Sequence, residues 1–360
     1  MTTLIWLLAA GAPLQTPPPP GPEAVGQAYF LFVEGRSLEG RGDVDGAVRA
    51  FREAIALVPA AAEIRAELAA LYARQGRAVE AVSTAREALQ IDAGNREAHR
   101  ILGFVQAALS DRTGDEALRD EALSHFEQAR QARVRDPAAE LTLGRLYVRS
   151  GRFEPAVRTL TTFLLDQPGY PEAMDLLAQA YEGRGQPLEA AALYRELART
   201  EPGAPAFPMR EAMALADAGD VGGAERVLRG IIARDPRQGD ALNFLGYLFA
   251  DRGERLDEAL ELINRALEVD RGNPSYLDSL GWVRLRRGEF GPAREPLERA
   301  AAALPRTSVV QDHLGDLYFA VKEYRAAADA FDRALAGDRR GIDVAAVTRK
   351  RDRARELAGR

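Results

Sequence analysis

The chain has 360 residues, 46% of them hydrophobic, with 48 Lys and Arg against 54 Asp and Glu for a net charge of −6. A negative total gives no overall attraction to nucleic acid or anionic lipid. Without cysteine there is no disulfide, no thiolate zinc site and no lipid-modified N-terminal cysteine.

The first 12 residues contain a short apolar run, Leu4 to Ala12, and residues 13–27 read as a linker rich in proline from Pro13 to Pro22. Proline at that density cannot be helical and is expected to be extended. The run and linker together read as an export signal and tether, which places the protein in the periplasm or cell envelope. Against this, no Lys or Arg precedes the run, and Ala10-Gly11-Ala12, the best cleavage site, is followed by Pro13. A cytoplasmic chain with an uncleaved N-terminus is the alternative.

From residue 28 to 341 a small residue returns on a period of 34: Gly35, Ala69, Gly103, Gly144, Ala178, Ala212, Gly246, Gly281 and Gly315. One insertion of seven and one of one are the only interruptions. Twelve residues on comes alanine, as Ala47, Ala81, Ala122, Ala156, Ala190, Ala224, Ala259, Ala293 and Ala327, reached one residue later in the seventh unit and seven later in the third. Small residues on two helices of a hairpin permit close antiparallel packing. Four positions further a bulky plug follows: Phe51, Phe126, Leu160, Tyr194, Leu228, Ile263, Leu297 and Phe331, with Ala85 the exception. Tyr72, Tyr147, Tyr181 and Tyr318 recur three residues after the small mark. Apolar residues at helical spacing, such as Ala47, Phe51, Ala54, Ile55 and Val58, predict helix, and nothing alternates like a strand, so the fold is expected to be all-α. Each unit buries its apolar face only on its neighbours, which makes one repeat array rather than separate domains.

The insertion near residues 110–119 is expected to lengthen the turn of the third unit or extend its second helix. Residues 342–360 are expected to form a capping helix and basic tail, with Ile342, Val344, Val347 and Leu357 covering the ninth unit. The run Arg349, Lys350, Arg351, Arg353 and Arg355 is expected on the solvated outer face.

No catalytic set stands out. His99, His125 and His313 are the only histidines, none opens an H-E-x-x-H motif, and no glycine-rich phosphate loop follows a strand. Asp43-Val44-Asp45-Gly46 lacks the distal glutamate of a calcium loop and suits a helix N-cap instead. We therefore expect no enzyme activity, no metal and no cofactor.

Period, small-residue pair, plug and the closing prolines Pro59, Pro168, Pro202, Pro236 and Pro305 together resemble the tetratricopeptide repeat family. The resemblance implies a right-handed α-solenoid of nine helix hairpins with a C-terminal capping helix. It also implies a concave groove lined by first helices, onto which Asp240, Asn243, Tyr247, Asp278, Trp282, Arg286, Asp312, Asp316 and Phe319 carry over as an acidic, aromatic C-terminal surface. Arg100, Phe104, Arg145, Val148 and Arg149 carry over as a basic middle. The partner implied is an extended peptide or helix of another protein, not nucleic acid, and no transmembrane helix is expected in the mature chain. Residues 239–337 further resemble bacterial envelope tetratricopeptide adaptors. The expected function is a non-catalytic interaction scaffold; the alternative is a regulatory subunit that positions or activates a separate protease or cell-wall enzyme.

Overall fold

The computed structural model describes residues 20–130 and 136–359. Among them every regular element is an α-helix, and they divide into two compact units, one ending at Pro168 and the other beginning at Gly169. The first unit holds α1 (Pro22–Gly40), α2 (Val44–Leu57), α3 (Ala62–Arg74), α4 (Ala78–Ile91), α5 (Arg96–Thr113), α6 (Glu116–Ala129), α7 (Pro137–Arg149) and α8 (Phe153–Asp166). The second holds α9 (Pro171–Gly183), α10 (Pro187–Thr200), α11 (Ala206–Asp217), α12 (Val221–Arg234), α13 (Gly239–Arg252), α14 (Leu256–Val269), α15 (Pro274–Arg286), α16 (Phe290–Ala303), α17 (Ser308–Ala320), α18 (Tyr324–Ala336) and α19 (Val344–Ala358). The pairs α1/α2 to α17/α18 are the nine hairpins read from the sequence, and α19 follows them.

Helix α1 starts at Pro22, inside the stretch expected to be linker through residue 27. Proline is accommodated there because the first helical residue has no intrahelical use for its N–H. The apolar run and Pro13 to Pro19 lie outside the described residues.

The small marks hold the hairpins together by receiving the plug of their own second helix. A Cβ built on Gly35 would lie 2.9 Å from Phe51 Cε1, on Gly103 3.0 Å from the Phe126 ring, on Gly144 2.5 Å from Leu160 Cδ2 and on Gly246 2.7 Å from Ile263 Cγ1. Gly281 meets Leu297 and Gly315 meets Phe331 in the same way. The alanine column brings the backbone close as well, the Ala259 carbonyl lying 3.0 Å from the Cβ position of Gly246. Phe51, Leu160, Ile263, Leu297 and Phe331 are fully buried, each burial stabilising by about 1.5–3 kcal/mol.

Seven residues after the mark the chain turns through the left-handed region, at Gly42, Gly76, Gly151, Gly185, Gly219, Gly253 and Gly288. Only glycine adopts it without cost, yet the ninth unit places Lys322 there with φ 65°. The single extra residue of the seventh unit is absorbed next to this turn, where Arg255 takes φ 48°.

The seven-residue insertion extends both helices of the third hairpin. The left-handed turn falls on Gly114, four residues late, and α6 begins six residues before Ala122 where other second helices begin three before their alanine. Ser110 Oγ donates to the Asp115 carbonyl at 2.8 Å, and the Asp115 carboxylate caps α6, accepting from Ala117 N at 2.8 Å. The tip is therefore ordered helix, where a longer turn or a longer second helix alone was expected.

Three tyrosines of the column each tie their hairpin to the one before it. Tyr72 accepts from Arg52 at 3.0 Å, Tyr147 donates to Glu127 at 2.8 Å and Tyr318 donates to Glu298 at 3.0 Å, each partner standing one residue past the previous plug. At the C-terminus Asp343 caps α19, and Val347 and Ala354 are buried on the ninth unit; Val344, expected in that seam, is 40% exposed.

Candidate functional site

In α11, α13, α15 and α17 of the second unit the repeat register puts two residues of each helix on one face: the residue one after the mark and the residue three before it. The first column gives Met213, Tyr247, Trp282 and Asp316, the second Met209, Asn243, Asp278 and Asp312. Around α13, α15, α17 and α19 these positions meet in one cluster.

Its centre is His313, which the sequence offered only as a histidine without a motif. His313 Nδ1 donates to both oxygens of Asp278, at 3.0 and 3.1 Å, and both residues are buried. The Trp282 indole stacks on the imidazole with centroids 4.0 Å apart and 13° between planes, and the Tyr247 ring stands 6.2 Å away. Burial alone would depress the imidazole pKa; the Asp278 ion pair, with Asp312 and Asp316 behind it, outweighs burial and raises it. The Asp278 pair thus favours the protonated imidazole inside the stack.

The acid residues at the C-terminal end are neutralised within the chain. Lys350 Nζ of α19 donates to Asp312 at 3.1 Å and to Asp316 at 2.7 Å. Burial raises the Asp316 pKa, and Lys350 opposes that. The basic run of α19 was expected on the solvated face; instead Lys350 turns inward, and Arg355 donates to Asp332 at 2.7 Å. Its register signals this, since 347, 350 or 351, and 354 form one helical stripe and Val347 and Ala354 are buried.

Trp282 is only 9% exposed, so packing accounts for most of its surface, while Tyr247 is partly buried. Arg286 places its guanidinium 5.4 Å from the Trp282 ring and donates to the Asp251 carbonyl at 2.7 Å. Asp240 accepts from the Tyr276 hydroxyl at 2.6 Å. Two polar atoms of the expected groove are buried without a hydrogen-bond partner: Asn243 Oδ1 and Trp282 Nε1. Such orphans are uncommon in native interiors.

The basic middle, in the first unit, is charge-balanced rather than free. Arg100 donates to both oxygens of Glu97, at 2.6 and 2.8 Å, and to Asp136 at 3.3 Å. Arg149 pairs with Asp111, which also lies 4.0 Å from Arg145. Asp111 belongs to the insertion, so the extra turn brings the counter-charge. Phe104 stands edge-on to the plug Phe126 at 5.0 Å, a packing contact.

The other two histidines pair with each other, His99 Nδ1 lying 2.8 Å from His125 Nδ1, with His99 Nε2 3.0 Å from the Ala93 carbonyl oxygen. Burial, then His99 and Arg86, lower the His125 pKa to about 4. Among the described residues no group of three or more His, Cys, Asp or Glu is arranged to hold a metal ion. No described helix is long and apolar enough to cross a membrane.

Family models of the tetratricopeptide repeat match residues 32–96 and 209–276, 118–180 and 172–204. A TPR repeat-containing protein of Pseudomonas aeruginosa is 32% identical over 179 residues, which are 49% of this chain and 30% of that protein. The chain thus spans less than a third of the length of that relative. Of solved structures, YrrB, described as a TPR protein with an unusual peptide-binding site, is 20% identical over 54% of this chain and 97% of its own, with a TM-score of 0.46. MamA is 22% identical over 49% and 92%, at 0.41. The Cut9–Hcn1 assembly of APC/C is 13% identical over 91% and 76%, at 0.49.

Proposed function

Because the chain belongs to the tetratricopeptide repeat family, we propose that it is a non-catalytic scaffold that captures an extended peptide or a helix of another protein on the first-helix face of its second unit. The observation that carries this reading is the pair of unpartnered buried atoms, Asn243 Oδ1 and Trp282 Nε1, in register with the aromatic ring of Tyr247. Both atoms are closed to solvent in this structure, so a bound backbone meets them as the Asn243 and Trp282 side chains turn toward it, and Tyr247 adds apolar area beside them.

Selection of a displayed peptide library against the whole chain tests the reading. Enriched peptides are expected to lose at least about tenfold in affinity when Asn243 and Tyr247 are both changed to alanine. A library that yields no binder, or binders indifferent to that double change, overturns it. The cluster around His313 then serves folding alone.

We place the protein in the cell envelope on the strength of the apolar run and proline stretch before α1. Fractionation of the native host tests this, and recovery from the cytoplasm alone refutes it.

A further inference from the structure

The first-helix face carries one more column, five residues after the mark, and its charges are treated unevenly. In α11 and α13 it presents Asp217 and Asp251, both exposed, and neither carboxylate has a hydrogen-bond or ion-pair partner among the described residues. The acids nearby on the same face are all engaged: Asp175 with Arg210, Asp278 with His313, Asp312 and Asp316 with Lys350. In α15 the column changes sign to Arg286.

Neighbouring acids act on one another here. Glu182 is raised by burial, with Asp217 and Asp175 contributing. The Tyr247 hydroxyl is raised by burial and then by Asp251, Asp278 and Asp312. Beside the two free acids stand apolar contacts in the next column, Met213, half exposed, and Tyr247. Trp282 continues that column, nine-tenths buried, with an indole N–H that has no acceptor.

We propose that this face takes an extended, basic peptide segment with two Lys or Arg side chains about three residues apart, one on Asp217 and one on Asp251. The spacing follows from dimensions: a helix with its side chains is about 10–12 Å across, and an extended chain advances about 3.3 Å per residue. Met213 and Tyr247, which are open to solvent, take the apolar side chains between the cations. The inference rests on the peptide-capture reading and adds the charge and spacing of the partner.

Fluorescence anisotropy on the full chain tests it with labelled synthetic peptides about nine residues long, enough to cross two repeats. They share one sequence and differ in carrying Lys at positions i and i+3, Lys at i and i+1, or Glu at i and i+3. The i,i+3 Lys peptide is expected to bind at least about tenfold tighter than the Glu peptide and several-fold tighter than the i,i+1 peptide, with the advantage shrinking as salt rises. Asp217→Asn with Asp251→Asn is expected to erase that preference, and circular dichroism should show the fold intact because both residues are exposed. Equal binding of Lys and Glu peptides, or a preference that survives the double change, overturns the inference. If library-selected peptides still bind in a manner sensitive to Asn243 and Tyr247, peptide capture stands while the basic segment falls. If neither set binds, both fall.

Discussion

Changing Gly281 to alanine gives the packing account a sign to get right. In an exposed helix interior, glycine to alanine stabilises by about 1 kcal/mol. Gly230 is such a site, exposed in the middle of α12 with no atom within 4 Å of the position a Cβ would take. At Gly281 the added Cβ would run into Leu297 Cγ, 2.9 Å from its Cδ2 and 3.2 Å from the Ala293 carbonyl. Leu297 is fully buried and has nowhere to swing, so α15 and α16 must separate, and overpacking of this kind costs about 1–3 kcal/mol. Ala178 and Ala212 hold the same register opposite Tyr194 and Leu228, so a hairpin can be built around the extra methyl. Helix propensity offsets part of that cost, and the net effect is a loss of about 1 kcal/mol. Urea denaturation should raise the midpoint for Gly230→Ala and lower it for Gly281→Ala. Leu297→Ala alone should cost about 2–5 kcal/mol, and the Gly281→Ala, Leu297→Ala double variant less than the sum, since the new methyl occupies part of the cavity. Two stabilised glycine variants, or a strictly additive pair, would refute the reasoning.

Stability should fall on both sides of neutrality. His313 has a raised folded pKa, so its contribution is full below the unfolded value of about 6.5 and is lost as pH climbs through the folded value. His125, held near 4, favours the unfolded chain as pH drops from about 6.5 toward 4. Unfolding free energies measured across pH should lose their alkaline limb in His313→Gln and their acid limb in His125→Gln; limbs unchanged in both variants would contradict the assignments. Excising Ser110–Thr113 and Ala117–Arg119 puts Gly114 seven residues, and Ala122 twelve residues, after Gly103, as in the other units. Thermal melts should then shift by less than the equivalent of about 1 kcal/mol, because the lost Asp111 pairs are surface pairs; a large drop would mean the extra turn is part of the core. Lys322→Gly should stabilise by about 0.5–1 kcal/mol by relieving a left-handed residue, and a loss in chemical denaturation would argue that the Lys322 side chain holds the turn.

The repeat period placed all nine hairpins because each mark, alanine and plug answers to a local contact within 34 residues. What the period cannot report is which charges find each other between units. Asp278 and His313 lie 35 residues apart, and Lys350 and Asp312 38 apart. Those separations are one repeat plus a residue or a turn, so the pairing depends on how neighbouring first helices lie side by side. The same limit hid Asp111 opposite Arg149. The acidic and basic surfaces read from columns of like charge thus become mostly paired surfaces. The exceptions, Asp217 and Asp251, show only once the partners of the others are known.

Hydrogen exchange on the whole chain, with and without a library-selected peptide, tests the central claim most directly. The account predicts added protection in the first helices α11, α13 and α15, with the second helices α12, α14 and α16 unchanged. Protection confined to the second helices, or to the first unit around Arg100 and Arg145, would contradict it.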